Sequence, residues 1–305
     1  VGLSENQKRL IQSVSQNDIM SAKKCAIACI TEDTTTKNKC FCTKYKNILE
    51  SSGSNMMELP YDLKNILCVE DVSNSFKEGR YFLSVREKKV FENIIRMKKV
   101  SEKLMEMSIP YLNSTLLYGE SGTGKTTFGR YIAYKMGLSF CYLNFSNLVD
   151  SYMGNTSKNI SKAFAYAISN PCVLMLDEID CISIRRSSSA SSNVDGEMAR
   201  ITITMMQEFD KLTNDIIVIG ATNRKDRIDE ALLRRFSLKH EVKVLDNEEK
   251  FEMVRKYLSD IRMSLSEIEI GKLVTNVELK YGGNQSILIN ELIRTIALKV
   301  AEQVV

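Results

Sequence analysis

Apolar positions change their period twice along the chain. In residues 3–50 they recur three and four apart, as in Ile19, Ala22, Ala26, Ile30 and again in Phe41, Tyr45, Ile48. That spacing predicts two or three amphipathic helices. Asn17-Asp18 and Thr31-Glu32-Asp33-Thr34 supply turn and N-cap chemistry between them. The run Ser51-Ser52-Gly53-Ser54-Asn55 reads as a linker, so residues 1–58 are expected as a small helical domain.

Beyond about residue 80 helix and strand alternate. Arg86 to Met107 is a long helical pattern that stops near Pro110. Apolar runs at 114–118, 140–145, 172–176, 216–221 and about 239–244 predict strands, with helices at 125–136, 156–169 and 197–211 between them. Short buried strands separated by helices imply a parallel sheet covered on both faces. After Asp246 the period is helical throughout, over Glu248 to Ser259, Ser266 to Asn276 and Asn284 to Val300. The expected parts are therefore 1–58, 59–245 and 246–305. Ser187 to Asn193 is serine-rich and is expected as a mobile loop.

With 44% hydrophobic and 26% charged residues, the chain has the balance of a soluble globular protein. No apolar run approaches the roughly 20 residues that cross a bilayer. The polar start, Val1 to Asn6, has no signal-peptide core, and because it is not Met, residues before Val1 are left open. A net charge of +4, with both signs interspersed, lacks the basic block of a nucleic-acid footprint. Arg86 to Lys103 is locally basic but is interrupted by Glu87, Glu92 and Glu102, as on a solvated helix face. Eight cysteines without a secretion signal point to reduced thiols and a cytoplasmic home. Cys25, Cys29, Cys40 and Cys42 raise the question of zinc, but their spacings are not C-x₂-C and they adjoin the apolar stripes. Buried free cysteine is the expectation.

Chemistry enters with Gly119, Glu120, Ser121, Gly122, Thr123, Gly124, Lys125 and Thr126, which fit the G-x-x-x-x-G-K-[ST] spacing of a nucleotide-phosphate loop. Leu116, Leu117 and Tyr118 precede it as a strand, and Thr127 to Met136 follow as a helix. Glycines let backbone N–H groups turn inward around phosphate oxygens, at the positive end of the helix. Lys125 is expected at the β- and γ-phosphates of a nucleotide and the Thr126 hydroxyl on Mg²⁺. A glycine-rich turn before an unrelated helix is the competing reading.

The run Cys172-Val173-Leu174-Met175-Leu176 ends in Asp177-Glu178, at the carboxyl edge where such sheets bind ligands. Asp177 is expected to hold Mg²⁺ through its water shell, and Glu178 to polarise the water that attacks the γ-phosphate. Two acids that end a strand and cap a helix are the plainer alternative. The strand Ile216 to Ala221 ends in Thr222-Asn223, whose amide can reach the γ-phosphate and the water or form an ordinary turn. Arg234 and Arg235 follow a short helix, Asp229 to Leu233. Alone they read as surface charges, although paired arginines can also neutralise a γ-phosphate of a neighbouring subunit.

In this order and spacing, the phosphate loop, the run Cys172 to Asp180, Ala221-Thr222-Asn223 and Asp229 to Phe236 resemble the AAA-type ATPases of the AAA+ superfamily. The branch is that of katanin- and spastin-like remodellers and protein unfoldases, with bacterial members as the expected origin. The resemblance covers about 80–305. It implies an α/β fold: a parallel five-stranded sheet of order 5-1-4-3-2, a C-terminal helical lid and a small N-terminal helical domain. It further implies ATP hydrolysis with ATP and Mg²⁺ as cofactors, in a homo-oligomeric ring, usually a hexamer, with nucleotide between subunits. By motif match Asn223 takes a sensor role and Arg234 and Arg235 act as arginine fingers. Thr127 joins the phosphate cradle, and Gly283 falls where the lid helix begins beside the base. No arginine opens that helix, so no lid sensor is assigned.

Tyr152, Met153 and Gly154 resemble the loop that lines the ring's central pore. Tyr offers a flat apolar face to an extended polypeptide and Gly freedom to move. Packing of Tyr152 and Met153 on the following helix, Ser157 to Ile168, is the alternative. The resemblance thus implies a cytoplasmic ring motor that unfolds, threads or remodels a protein substrate, with neither membrane nor nucleic acid as partner. A nucleic-acid motor or loader, and a nucleotide-gated scaffold whose N-terminal helices recruit a partner, stay open as alternatives.

Overall fold

The computed structural model describes residues 2–15, 19–33, 55–56, 66–109, 111–145, 156–182, 193–212 and 216–304, with positions 38, 42, 43, 46 and 63. Tyr152, Met153 and Gly154, the serine-rich run before Asn193, linker residues 51–54 and Cys40 lie outside them. Two compact units form, Val1–Glu58 and Leu59–Val305.

In the first unit, α1 (Glu5–Ser15) and α2 (Ile19–Glu32) pack together. The pair is antiparallel, because Asn6 at the start of α1 donates a hydrogen bond of 2.5 Å to Glu32 at the end of α2. Cys25 and Cys29 are partly buried free thiols on α2. Among the described residues no group of three or more His, Cys, Asp or Glu side chains could hold a metal ion.

Among the described residues, the second unit contains six strands: β1 (Cys68–Asp71), β2 (Asn113–Tyr118), β3 (Ser139–Asn144), β4 (Cys172–Asp177), β5 (Ile217–Thr222) and β6 (Leu238–Glu241). They stand side by side in the order β1-β3-β4-β5-β2-β6. Strands β2 to β6 are mutually parallel. Counted from the phosphate-loop strand, they run 5-1-4-3-2. The additional strand β1 pairs antiparallel with β3, Val69 opposite Cys141, and extends that edge. No sequence pattern predicts it, since four residues ending in Glu70-Asp71 carry almost no period-two signal.

Among the described residues, α3 (Val72–Ser75), α4 (Val85–Glu106), α5 (Lys125–Met136), α6 (Thr156–Ser169), α7 (Asn193–Lys211) and α8 (Glu230–Leu233) lie around this sheet, and α9 (Asn247–Asp260) follows it. Alternate residues of the central strands feed two cores. Val173, Met175, Ile217 and Ile219 pack with Phe128 and Ile132 of α5 and with Val90 and Ile94 of α4. Leu174, Leu176 and Val218 pack on the other face with Ile160 and Phe164 of α6 and Met205 and Phe209 of α7. This is why the strands read as continuous apolar runs: with period two, both faces are buried. Each such side chain contributes roughly 1.5–3 kcal/mol on burial. The polar start of β2 is buried too, because its partners are present. Asn113 donates to the Ile94 carbonyl (2.9 Å) and Ser114 to the Arg235 carbonyl (2.9 Å).

Helices α9, α10 (Glu267–Tyr281) and α11 (Gln285–Val304) share a third core that includes Val254, Leu258, Val274, Val277, Leu288 and Leu292. Asp246 and Ser266 form capping boxes with Glu249 and Glu269, which start α9 and α10 where the sequence predicts. Helix α10 continues past Asn276 to Tyr281 and stops where Gly282 adopts the left-handed conformation. Ion pairs Arg86–Glu249 (2.9 Å) and Arg80–Asp260 (2.7 Å) join these helices to the segment between β1 and β2. Among the described residues no helix is long and apolar enough to cross a membrane.

Candidate functional site

Strand β2 delivers the chain to the carboxyl edge of the sheet, and α5 carries it away. Between them the backbone turns through positive φ at Gly119, Gly122 and Gly124 (143°, 75° and 89°). Side chains rarely adopt such angles, and a Cβ on Gly119 would strike the Val242 carbonyl. The Lys125 ammonium is buried beneath this loop. It donates to the carbonyls of Gly119 (2.8 Å) and Glu120 (2.7 Å) and to Asn223 Oδ1 (2.7 Å). Burial lowers its pKa, opposed by the nearby carboxylates of Asp177, Asp180 and Glu120.

The neighbouring strand ends bring the other polar groups to the same edge. The Thr126 hydroxyl donates to Asp177 Oδ2 at 2.8 Å, and Tyr142 on β3 donates to the same oxygen at 3.3 Å. Asp177 Oδ1 accepts the Glu178 N–H (3.0 Å). Glu178 itself sits at φ 55°, ψ 41°, a left-handed conformation costly for a residue with a side chain. That local bend turns the chain out of β4 at the rim of the cavity. Thr222, at the end of β5, donates to Asp180 (2.6 Å) and accepts from the Arg224 N–H (2.9 Å), which fixes the turn that presents Asn223. Thr126 and Asp177 offer hard oxygen donors side by side. Such a set fits a magnesium ion that keeps its remaining positions for water and phosphate oxygens.

A cavity of about 570 Å³ opens over this edge. Its polar end is lined by Ser121 to Thr127, Asp177, Glu178 and Asn223. Gly119 and Glu120 do not line it; their carbonyls hold Lys125 instead. The apolar end comes from Phe82, Val242, Leu245, Met253 and Ile289, which no motif marks. Their only trace in the sequence is an aromatic pair, Tyr81-Phe82, before α4 and aliphatic residues on the flanks of α9 and α11. Gly283, expected beside the base, does not line the cavity. It lies in the turn between α10 and α11, where a Cβ would collide with the ion pair of the buried Lys250 and the exposed Glu278. The cavity is reached instead by the residues that follow it, Gln285, Ser286 and Ile289.

Arg234 and Arg235 stand apart from the cavity. Arg234 is 80% exposed and lies 3.6 Å from Glu230. Arg235 is folded down, donating to both carboxylate oxygens of Asp210 (3.0 and 2.9 Å) and to the Ala231 carbonyl (2.9 Å).

The family model for ATPases associated with various cellular activities (AAA) matches residues 115–244. The stretch runs from β2 through β6. A peroxisomal ATPase PEX6 of Candida glabrata is 33% identical over 174 residues, 55% of this chain and 17% of its own length. A 26S proteasome regulatory subunit 8 homolog of Schizosaccharomyces pombe is 34% identical over 175 residues, 56% of this chain and 43% of that one. The 26S proteasome subunit RPT4 of Saccharomyces cerevisiae is 38% identical over 155 residues, 49% and 35% of the respective lengths. The chain thus spans less than half the length of these relatives.

Proposed function

Since the chain carries an AAA ATPase domain in residues 115–244, we propose that it is an ATP-driven ring motor that unfolds, threads or remodels protein substrates. The observation that supports this best is the convergence of Lys125, Thr126, Asp177, Glu178 and Asn223 on one end of a single cavity. In this reading the loop N–H groups and Lys125 cradle the β- and γ-phosphates, and the apolar end takes the base. Magnesium held by Thr126 and Asp177 would neutralise phosphate charge. Glu178 takes the proton of the attacking water as the water oxygen bonds to the γ-phosphorus. The bond from that phosphorus to the bridging oxygen breaks, and ADP leaves. Asn223 orients the water.

Arg234 and Arg235 lie away from their own cavity, which supports their service to a neighbouring copy in a hexameric ring. Relatives named as proteasome regulatory subunits support a polypeptide client. In this reading Tyr152, Met153 and Gly154 grip that client in the central pore. The free thiols of Cys25, Cys29, Cys68 and Cys141 support a reducing, cytoplasmic setting.

The decisive experiment is Glu178→Gln. The variant is expected to bind ATP like the wild type and to lose turnover by a factor on the order of 10²–10⁴. It should also retain a polypeptide from its host, released when Tyr152 becomes Ala. Unchanged turnover would refute the assignment of Glu178. Retained DNA would move the protein to nucleic-acid work.

A further inference from the structure

The residues that open α11 meet three consecutive carbonyls of the phosphate loop. Asn284 Nδ2 donates to the Ser121 carbonyl at 2.7 Å. The Ser286 N–H donates to the Gly122 carbonyl at 3.2 Å. With the Gln285 amide turned to satisfy both neighbours, its nitrogen faces the Thr123 carbonyl (2.5 Å) and its oxygen accepts the Leu245 N–H (3.2 Å). Asn284 Oδ1 meanwhile accepts from the Ser286 and Ile287 N–H groups (3.0 and 3.4 Å), so the same side chain caps α11. A Cβ on Gly122 would overlap the Asn284 amide, so the glycine is what allows this approach.

A trans peptide is planar, and its C=O and N–H point in opposite directions. Drawing the carbonyls of Ser121, Gly122 and Thr123 toward α11 therefore turns the N–H groups of Gly122, Thr123 and Gly124 the other way. Those are the groups a polyphosphate needs. Leu288 and Leu292 anchor α11 in its own core, so the donors are fixed to the three-helix module rather than to the sheet.

We propose that Asn284 is a positioning residue for nucleotide binding. From the lid, it sets the orientation of the peptide groups that receive the phosphates of a nucleoside diphosphate or triphosphate. This rests on the nucleotide-site reading above. Lid position and phosphate-loop geometry are then linked through backbone carbonyls, in a helix whose start carries no arginine.

The test is the affinity of the full chain for magnesium and fluorescent ADP in the Asn284→Ser variant. Serine is as good an N-cap but is too short to reach the Ser121 carbonyl. The expected result is about tenfold weaker ADP binding with the melting temperature of the nucleotide-free protein unchanged. Protection of the Gly122 amide from hydrogen exchange on adding ADP should fall in parallel. Asn284→Asp keeps the cap and replaces the donor by an acceptor, so it should weaken binding at least as much, and it carries the test if the serine variant folds poorly. Affinity within twofold of wild type in either folded variant overturns the proposal, as does a lowered melting temperature with unchanged affinity. A wild-type protein that binds no ADP would overturn the site reading itself.

Discussion

Lys125 Nζ lies 2.7 Å from Asn223 Oδ1, so the first residue of α5 is tied to the end of the adjacent strand β5. The bond crosses 98 residues of sequence and, in the proposed reading, joins two groups that act on one phosphate. Replacing Lys125 by Met should leave Asn223 without this partner and remove the buried charge. ATP affinity is expected to fall about a hundredfold, roughly 2.7 kcal/mol, by isothermal titration. Burial lowers the Lys125 pKa, so the folded protein gives up this proton at lower pH than the unfolded chain. The group's effect on stability therefore becomes more favourable as pH rises toward the ordinary lysine value, while ATP affinity falls across the same range. The Met variant should show neither trend.

The bidentate contact of Arg235 with Asp210 makes a separate prediction. If Arg235 serves the neighbouring copy, Arg235→Ala should keep ATP affinity within about twofold while turnover falls on the order of 10³. Mixing Arg235→Ala with Glu178→Gln should restore activity, because some interfaces regain both groups. Two inactive proteins that stay inactive when mixed and shown to co-assemble would sink the trans assignment.

Glu269 offers a pH test of the lid alone. Its carboxylate is held down to a pKa of about 2, first by Lys299 and then by the backbone and hydroxyl of Ser266. A depressed carboxylate stabilises the fold above its ordinary pKa near 4.5, and the stabilisation is lost as pH falls toward about 2. Glu269→Gln should therefore melt lower than wild type at pH 7. The gap should narrow between about pH 4.5 and 2; a gap independent of pH would contradict the linkage.

In the middle of β5, a Cβ on Gly220 would come within 2.6 Å of Phe236 Cζ and 3.2 Å of Leu116 Cδ1. Phe236 is buried beside Phe209, with little room to move. Gly220→Ala is expected to cost about 1–3 kcal/mol in urea denaturation. A cost below about 0.5 kcal/mol would mean that Phe236 can shift freely.

Much of the polar end of the site could be read along the chain. Gly119 to Thr126 and Asp177-Glu178 are contiguous, and each follows an apolar strand, so local spacing alone puts them at a strand end. Phe82, Leu245, Met253 and Ile289 were not legible in that way. They are ordinary core residues whose common cavity arises only when the α9–α11 module closes on the phosphate loop. Strand β1 was hidden for a related reason: it is a strand because β3 offers it a partner.

The sequence by itself determined which groups could do chemistry and roughly where the five parallel strands and the longer helices of the second unit lie, because those depend on residue type and short-range period. Only the tertiary structure decided that Lys125 meets Asn223, that Arg235 rests on Asp210, and that Asn284 rather than Gly283 reaches the phosphate loop. Each of these is a contact between residues distant in sequence. Its geometry follows from how parallel strands and a three-helix module close around one edge, which no local pattern encodes.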